Sequence, residues 1–311
     1  MSLRLPILLP VLLVAILCNT GASAYSGPVI DMHFHAWPSG ENGGPERPKN
    51  QLAMAKALAA LDQHNIVLAA VSGPQEFIEA WAELNTGQFM LAPIFPCIDG
   101  KNPTFFRHDC FSDGNDFPNL EWLEKQYADD TLHIMGELYN QYAGVAFDDP
   151  RMDPYYALAE RLGIPVAFHT HSGPPLTSSG CCPAFRISNG NPLLLENVLV
   201  KYPRLKVQIM HANPLVYPEV IDLLTQFPKI YVDLSAWQMA YTRKKFHLLL
   251  QVYVDAGLTG RIMFGSDGHD FTKAFAAYES AAFLSDRQLE GIFCTNAARF
   301  LRQRELCEQP E

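Results

Sequence analysis

GELYNQYAGVAFDDPRMDPYYALAERLGIPVAFHT, residues 136–170, carries a complete strand, helix and strand in succession. A β-type run at 133–138 leads in, a helix-period segment occupies 154–162, and a second β-type run follows at 165–171. That order is the βα alternation of a parallel sheet, since parallel neighbours can be joined only by a crossover.

Read outward in both directions, the alternation continues. Apolar runs rich in β-branched residues fall at 29–35, 66–72, 89–95, 133–138, 165–171, 206–211, 230–235 and 261–267. Helical segments lie between them at 51–64, 75–85, 120–129, 154–162, 192–202, 217–227 and 243–256, with a last one at 287–302. Eight runs, each followed by a helix, predict an α/β fold of the closed (β/α)8 TIM barrel type. An open doubly wound sheet is disfavoured, because no Gly-rich dinucleotide fingerprint follows the first strand. The stretches 38–48, 96–118 and 172–191 are loops after strands, which this architecture places around the C-terminal mouth where ligand chemistry resides. One barrel domain over 25–311 accounts for the chain, and no second domain is needed.

The first run, VIDMHFH at 29–35, holds His33 and His35 two apart, so on a strand both imidazoles face the same way, toward the barrel axis. Two converging imidazoles suit a divalent metal such as zinc, although an H-x-H alone is also compatible with hydrogen-bonded histidines. Later strand ends supply more ligand types: Glu137 on the fourth, His169 on the fifth, His211 on the sixth and Asp267 on the eighth. Ligand-type residues gathered at one end of one barrel predict a metal centre. His171 lies two beyond His169 and is either a substrate contact at the rim or a solvated loop histidine. Asp31 reads as structural support for the histidines, and His269 is close enough to Asp267 to orient it. Trp37, Tyr139, Gln141, Arg186 and Trp237 also fall near strand ends and can shape a pocket, and Trp37 and Tyr139, with His171, are the expected substrate contacts.

Residues 1–24 show a basic start at Arg4, an apolar run over 5–17 and an A-x-A ending at Ala22-Ser23-Ala24. That is the pattern of a secretory signal peptide, too short and proline-interrupted for a membrane span, and it predicts a periplasmic or secreted protein with no stable span after cleavage. Beyond it stand Cys97, Cys110, Cys181, Cys182, Cys294 and Cys307. In an exported chain these permit disulfides such as Cys97 with Cys110 and Cys294 with Cys307, while free buried thiols remain the alternative. None has the C-x-x-C spacing of a metal site. The formal charge of -10, from 33 acidic and 23 basic side chains, disfavours a nucleic-acid partner and leaves a small-molecule substrate. Association into homo-oligomers is left open.

The sequence resembles the amidohydrolase-related family, which includes the aminocarboxymuconate-semialdehyde decarboxylases and related metal hydrolases. The motifs are DMHFH at 31–35, the stretch 136–170, IMHAN at 209–213, MFGSD at 263–267 and NAARFL at 296–301. The resemblance implies that His33, His35 and His169 are metal ligands and that Asp267 is a ligand doubling as proton carrier. It also implies that His211 is either a second-metal ligand or a substrate-polarising residue. Glu137 departs from the decarboxylase branch and is similar to the strand 4 Glu that bridges two metals in the metal-dependent DNases of the wider superfamily. The expected cofactor is therefore divalent metal, zinc, one or two per chain, held by His33, His35, Glu137, His169, His211 and Asp267.

The expected activity is hydrolysis of a small-molecule ester, lactone or amide by a metal-activated hydroxide, with Asp267 and His211 as the catalytic residues. The alternatives are zinc-dependent nonoxidative decarboxylation of an aromatic or muconate-type acid, and, in another class, a noncatalytic metal-dependent binding protein. Glu137 and the export signal favour hydrolysis.

Overall fold

A computed structural model describes residues 25–37, 51–84, 86–103 and 107–308. The leader at 1–24 and the loop at 38–48 lie outside the described residues. Eight strands are present: β1 (Val29–His35), β2 (Ile66–Gly73), β3 (Phe89–Pro93), β4 (Met135–Leu138), β5 (Val166–His169), β6 (Val207–Met210), β7 (Ile230–Asp233) and β8 (Ile262–Met263). All pair in parallel, β1 through β3 as one arc and β4 through β8 as the other. At one seam Phe95 bridges Leu138, and Tyr139 N donates to Phe95 O at 2.7 Å. At the other, Met32 N donates to Phe264 O at 2.9 Å and Asp267 N to His33 O at 2.7 Å. These bonds close the two arcs into the expected TIM barrel, with helices outside it.

Two apolar layers follow from the alternation of side chains along each strand. Inside the barrel, Ile30, Met32, Leu68, Met90, Ala167, Met210, Tyr231 and Met263 pack on one another. The helix Asn296–Leu301 presses Ala297, Ala298 and Phe300 onto the same cluster, at the end of the barrel where the strands begin. The opposite strand faces meet the helices in a larger core that includes Phe77, Trp81, Leu123, Val220, Phe246 and Leu249.

Several segments end differently from the sequence expectation. The last predicted helix is broken into Asp286–Glu290, a π-helical turn at Gly291–Thr295 and Asn296–Leu301. The segment at 192–202 starts as a 3-10 turn at Pro192–Leu195 before the α-helix Glu196–Lys201. The runs at 206–211 and 261–267 leave the sheet early, so His211 and Asp267 sit just past their strands with φ of 56° and 58°. That left-handed conformation is uncommon for residues other than glycine and takes the chain out of β geometry.

Cys97 bonds to Cys110 and Cys294 to Cys307, the two pairs that spacing allows, and the remaining pair is between sequence neighbours, Cys181 and Cys182. Among the described residues no helix is long and apolar enough to cross a membrane.

Candidate metal centre

Strict alternation would not deliver the site. In β1, Ile30 and Met32 already point into the barrel, so His33 and His35 can do so only after an irregularity. The register with β2 shifts between Asp31 and Phe34, which supplies it. In β4, Ile134 faces inward and Met135 outward, so alternation would turn Glu137 toward the helices. The register with β5 shifts between Met135 and Leu138, and Gly136 takes φ 107°, a conformation open to glycine. Both are register shifts of the kind a β-bulge makes, and each re-aims a polar side chain at the axis.

Six side chains then converge at the C-terminal ends of the strands. Glu137 is buried, with Oε2 3.5 Å from His33 Nε2 and 3.7 Å from His35 Nε2. Its Oε1 meets His169 Nδ1 and lies 3.7 Å from His211 Nε2. Asp267 Oδ1 is 2.8 Å from His35 Nε2 and 3.4 Å from His33 Nε2, and its Oδ2 is 3.3 Å from His269 Nε2. Ligand atoms of His33, His35 and Glu137, of His33, His211 and Asp267, and of Glu137, His169 and His211 form three groups, each within 4.8 Å. All six predicted ligands are thus brought together, and His269 stands where it orients Asp267.

The outer sides of the imidazoles are tied down. His33 Nδ1 is 3.3 Å from Asp233 Oδ2 and 2.9 Å from Ser235 Oγ. His211 Nδ1 is 3.0 Å from Ser235 Oγ and 3.1 Å from the Ser235 carbonyl oxygen. Asp233 itself accepts from Gln208 Nε2 at 2.8 Å and from the backbone of His211 at 3.2 Å. Such contacts fix ring orientation and leave the opposite nitrogen for a metal. His33 Nε2, His169 Nε2 and Glu137 Oε2 are buried without a hydrogen-bond partner, which is costly unless something fills the space between them. Nitrogen and carboxylate donors left open in this way fit a divalent cation.

Charge agrees with geometry. Burial alone would raise the Glu137 carboxyl, but the fields and hydrogen bonds of His33, His169 and His211 hold it well below the usual carboxylate range. Burial is likewise overcome at Asp267, by hydrogen bonds with His269 and His35 and by the fields of His211 and His33. Two ionised carboxylates therefore face the centre. Asp31 behaves differently: burial pushes it up to about 7 against the hydrogen bonds it accepts from Ser266 and His33. It accepts from the backbone N–H of His33 and of Ser266, each at 3.0 Å, so it supports the chain that carries the histidine rather than the ring.

Around the rim, His171 stacks on Trp237 with ring centroids 4.4 Å apart and lies 5.2 Å from His211. Burial, then His211 and His169, push its pKa down to about 3, and its Nδ1 accepts from Gly173 N at 2.8 Å. It is a half-buried ring packed beside the centre. Trp37 stacks on His35 at 4.3 Å. Tyr139 is buried edge-on to His169 at 5.8 Å. Arg186 Nη1 donates to the carbonyls of Pro183 and Phe185, and Gln141 donates to the carbonyls of Arg186 and Ile187, so both side chains brace the loop after β5. Asp233 and Ser235 were not singled out in the sequence, although Asp233 ends β7 just as Glu137 and His169 stand at the ends of theirs.

Fold and centre together define a metal-dependent barrel enzyme. The chain belongs to the amidohydrolase family, whose sequence profile matches residues 111–303. Its fold is similar to that of an uncharacterised TIM-barrel protein from Bordetella bronchiseptica, at 18% identity and TM-score 0.59, covering 89% of this chain and 99% of that one. It is also similar to a probable 2-pyrone-4,6-dicarboxylic acid hydrolase from Acinetobacter baumannii, at 14% identity and TM-score 0.59, covering 88% and 99%. A dihydroxybenzoic acid decarboxylase from Polaromonas with bound manganese aligns at 13% identity and TM-score 0.54, covering 89% and 97%. No functionally curated protein matches the chain in sequence. The neighbours include both hydrolases and decarboxylases.

Proposed function

We propose that the protein is an exported metal-dependent hydrolase of a small-molecule ester, lactone or amide. The observation that carries this reading is the split carboxylate of Glu137, with Oε2 turned to His33 and His35 and Oε1 to His169 and His211. His33, His35, Glu137, His169, His211 and Asp267 would hold the cation, which we assign as zinc, one ion or two per chain, with Glu137 placed to serve either side. Bound there, a divalent ion lowers the pKa of water and polarises an acyl oxygen.

The chain's own residues do the rest. Asp267, ionised and steered by His269, accepts the proton of the attacking water at Oδ1 or Oδ2 and returns it to the leaving group. His211, its Nδ1 fixed by Ser235, presents Nε2 to the developing negative charge or to the second cation. His171, Trp37 and Tyr139 contact the substrate. The leader pattern and the three disulfides support export.

Asp267→Asn is the test: metal content stays at the wild-type level while ester, lactone or amide turnover falls by at least about a hundredfold, the scale of general acid–base catalysis. Near-normal turnover in that variant refutes the role. Carbon dioxide release from aromatic or muconate-type acids, with no acyl cleavage, would establish the decarboxylase instead.

A further inference from the structure

At the opposite end of the barrel, below the strand starts, a cavity of about 530 Å³ opens beside the closing helix Asn296–Leu301. Its walls carry Arg204, Lys206, Lys229, Arg299 and Arg302 against a single acid, Glu160. In a chain of net charge -10, that is a local reversal of sign. Glu160 is already taken, accepting from Arg204 N at 2.7 Å and from its guanidinium at 3.2 Å. Lys229 Nζ donates to the Pro203 carbonyl at 3.1 Å, which leaves its charge uncompensated. Among the described residues, no carboxylate pairs with Lys206, Arg299 or Arg302.

Arg204, Lys229, Arg299 and Arg302 are exposed, and two further features mark the site. Lys206 is half-buried, and burial first and Arg302 second lower its pKa, so the two cations crowd each other. Arg302 holds φ 67° at the end of its helix, where glycine is the usual residue because a Cβ is strained there. The exposed Arg302 and the half-buried Lys206 thus present two like charges whose mutual repulsion an anion between them would relieve. The cavity floor is closed by Tyr231 and Phe300, which meet at 5.0 Å and are buried in the interior cluster.

We infer that this lower cavity binds a small organic polyanion with two or more phosphate-like charges. Lys206 and Arg302 clamp one anionic group, and Arg299 and Lys229 take the other. The volume is in the range of small-ligand pockets. The site is separate from the metal centre, since Lys206 precedes β6 while His211 follows it.

Fructose 1,6-bisphosphate titrated calorimetrically into the metal-loaded full chain at low salt tests this, with glucose 6-phosphate and glucose as the charge series. The expected result is saturable binding of the bisphosphate at one site, weaker binding of the monophosphate and none of glucose. Arg302→Gly, which relaxes the backbone, combined with Lys206→Ala should weaken the bisphosphate at least tenfold while leaving metal content unchanged. Should that pair fail to fold, Arg299→Ala with Lys229→Ala, both at exposed positions, should still weaken it severalfold. Absence of binding to the wild-type chain, or equal affinity in the variants, overturns the proposal; the latter places the anion at the metal centre.

Discussion

A Cβ placed on Gly136 would lie 2.5 Å from the carbonyl oxygen of Ala167, so the turn that aims Glu137 inward tolerates only glycine. Gly136→Ala should therefore lose both stability and metal. The strained φ and the clash together cost about 1–3 kcal/mol, and relief by flattening the bulge would rotate Glu137 off the axis. Differential scanning calorimetry should show a lowered Tm, and elemental analysis a reduced metal content. An unchanged metal content would mean that the bulge does not position the carboxylate.

Asp233 touches no cation position, yet it orients His33 through Nδ1. Asp233→Asn keeps the shape and removes the charge. Metal affinity should fall by roughly 10- to 100-fold, the usual effect of losing such a partner. Competition with a chromophoric chelator measures it, and an affinity within twofold of wild type would rule the support role out.

His171 and Trp237 form one stacked unit at the rim. His171→Ala should raise KM about tenfold, the equivalent of about 1.4 kcal/mol of binding, with kcat little changed. A fall in kcat at constant KM would move His171 from substrate contact to the reaction itself.

Cys97 with Cys110 and Cys294 with Cys307 each span a sequence separation of 13. Closing loops of that size stabilises a chain by about 3 kcal/mol each in the chain-entropy account. Reduction by a phosphine should lower the Tm markedly, and Cys294→Ser with Cys307→Ser should reproduce part of the fall. A melting curve insensitive to reductant would show that these bonds contribute little.

Most of the barrel was legible because its signals are local: each β-branched run is punctuated by a helix-period segment, and all eight runs became strands. The ligand set was legible for the same reason, since His33, His35, Glu137, His169, His211 and Asp267 each fall at a strand's end. Their aim was not. Alternation counted from Ile30 or Ile134 gives the wrong face for His33 and Glu137, and the bulges that correct it are fixed by the neighbouring strands. Asp233 escaped notice because its role depends on His33, two hundred residues away in sequence. The Cys181–Cys182 bond was equally hidden, because adjacent cysteines give no loop from which to argue.

The closing helix Asn296–Leu301 stops the barrel from below, with Ala297, Ala298 and Phe300 seated on the interior cluster. The metal centre is consequently a blind alley. Among the described residues the mouth at the strand ends is then the way in and out, so a product that lingers there would exclude the next substrate and inhibition by product should be competitive.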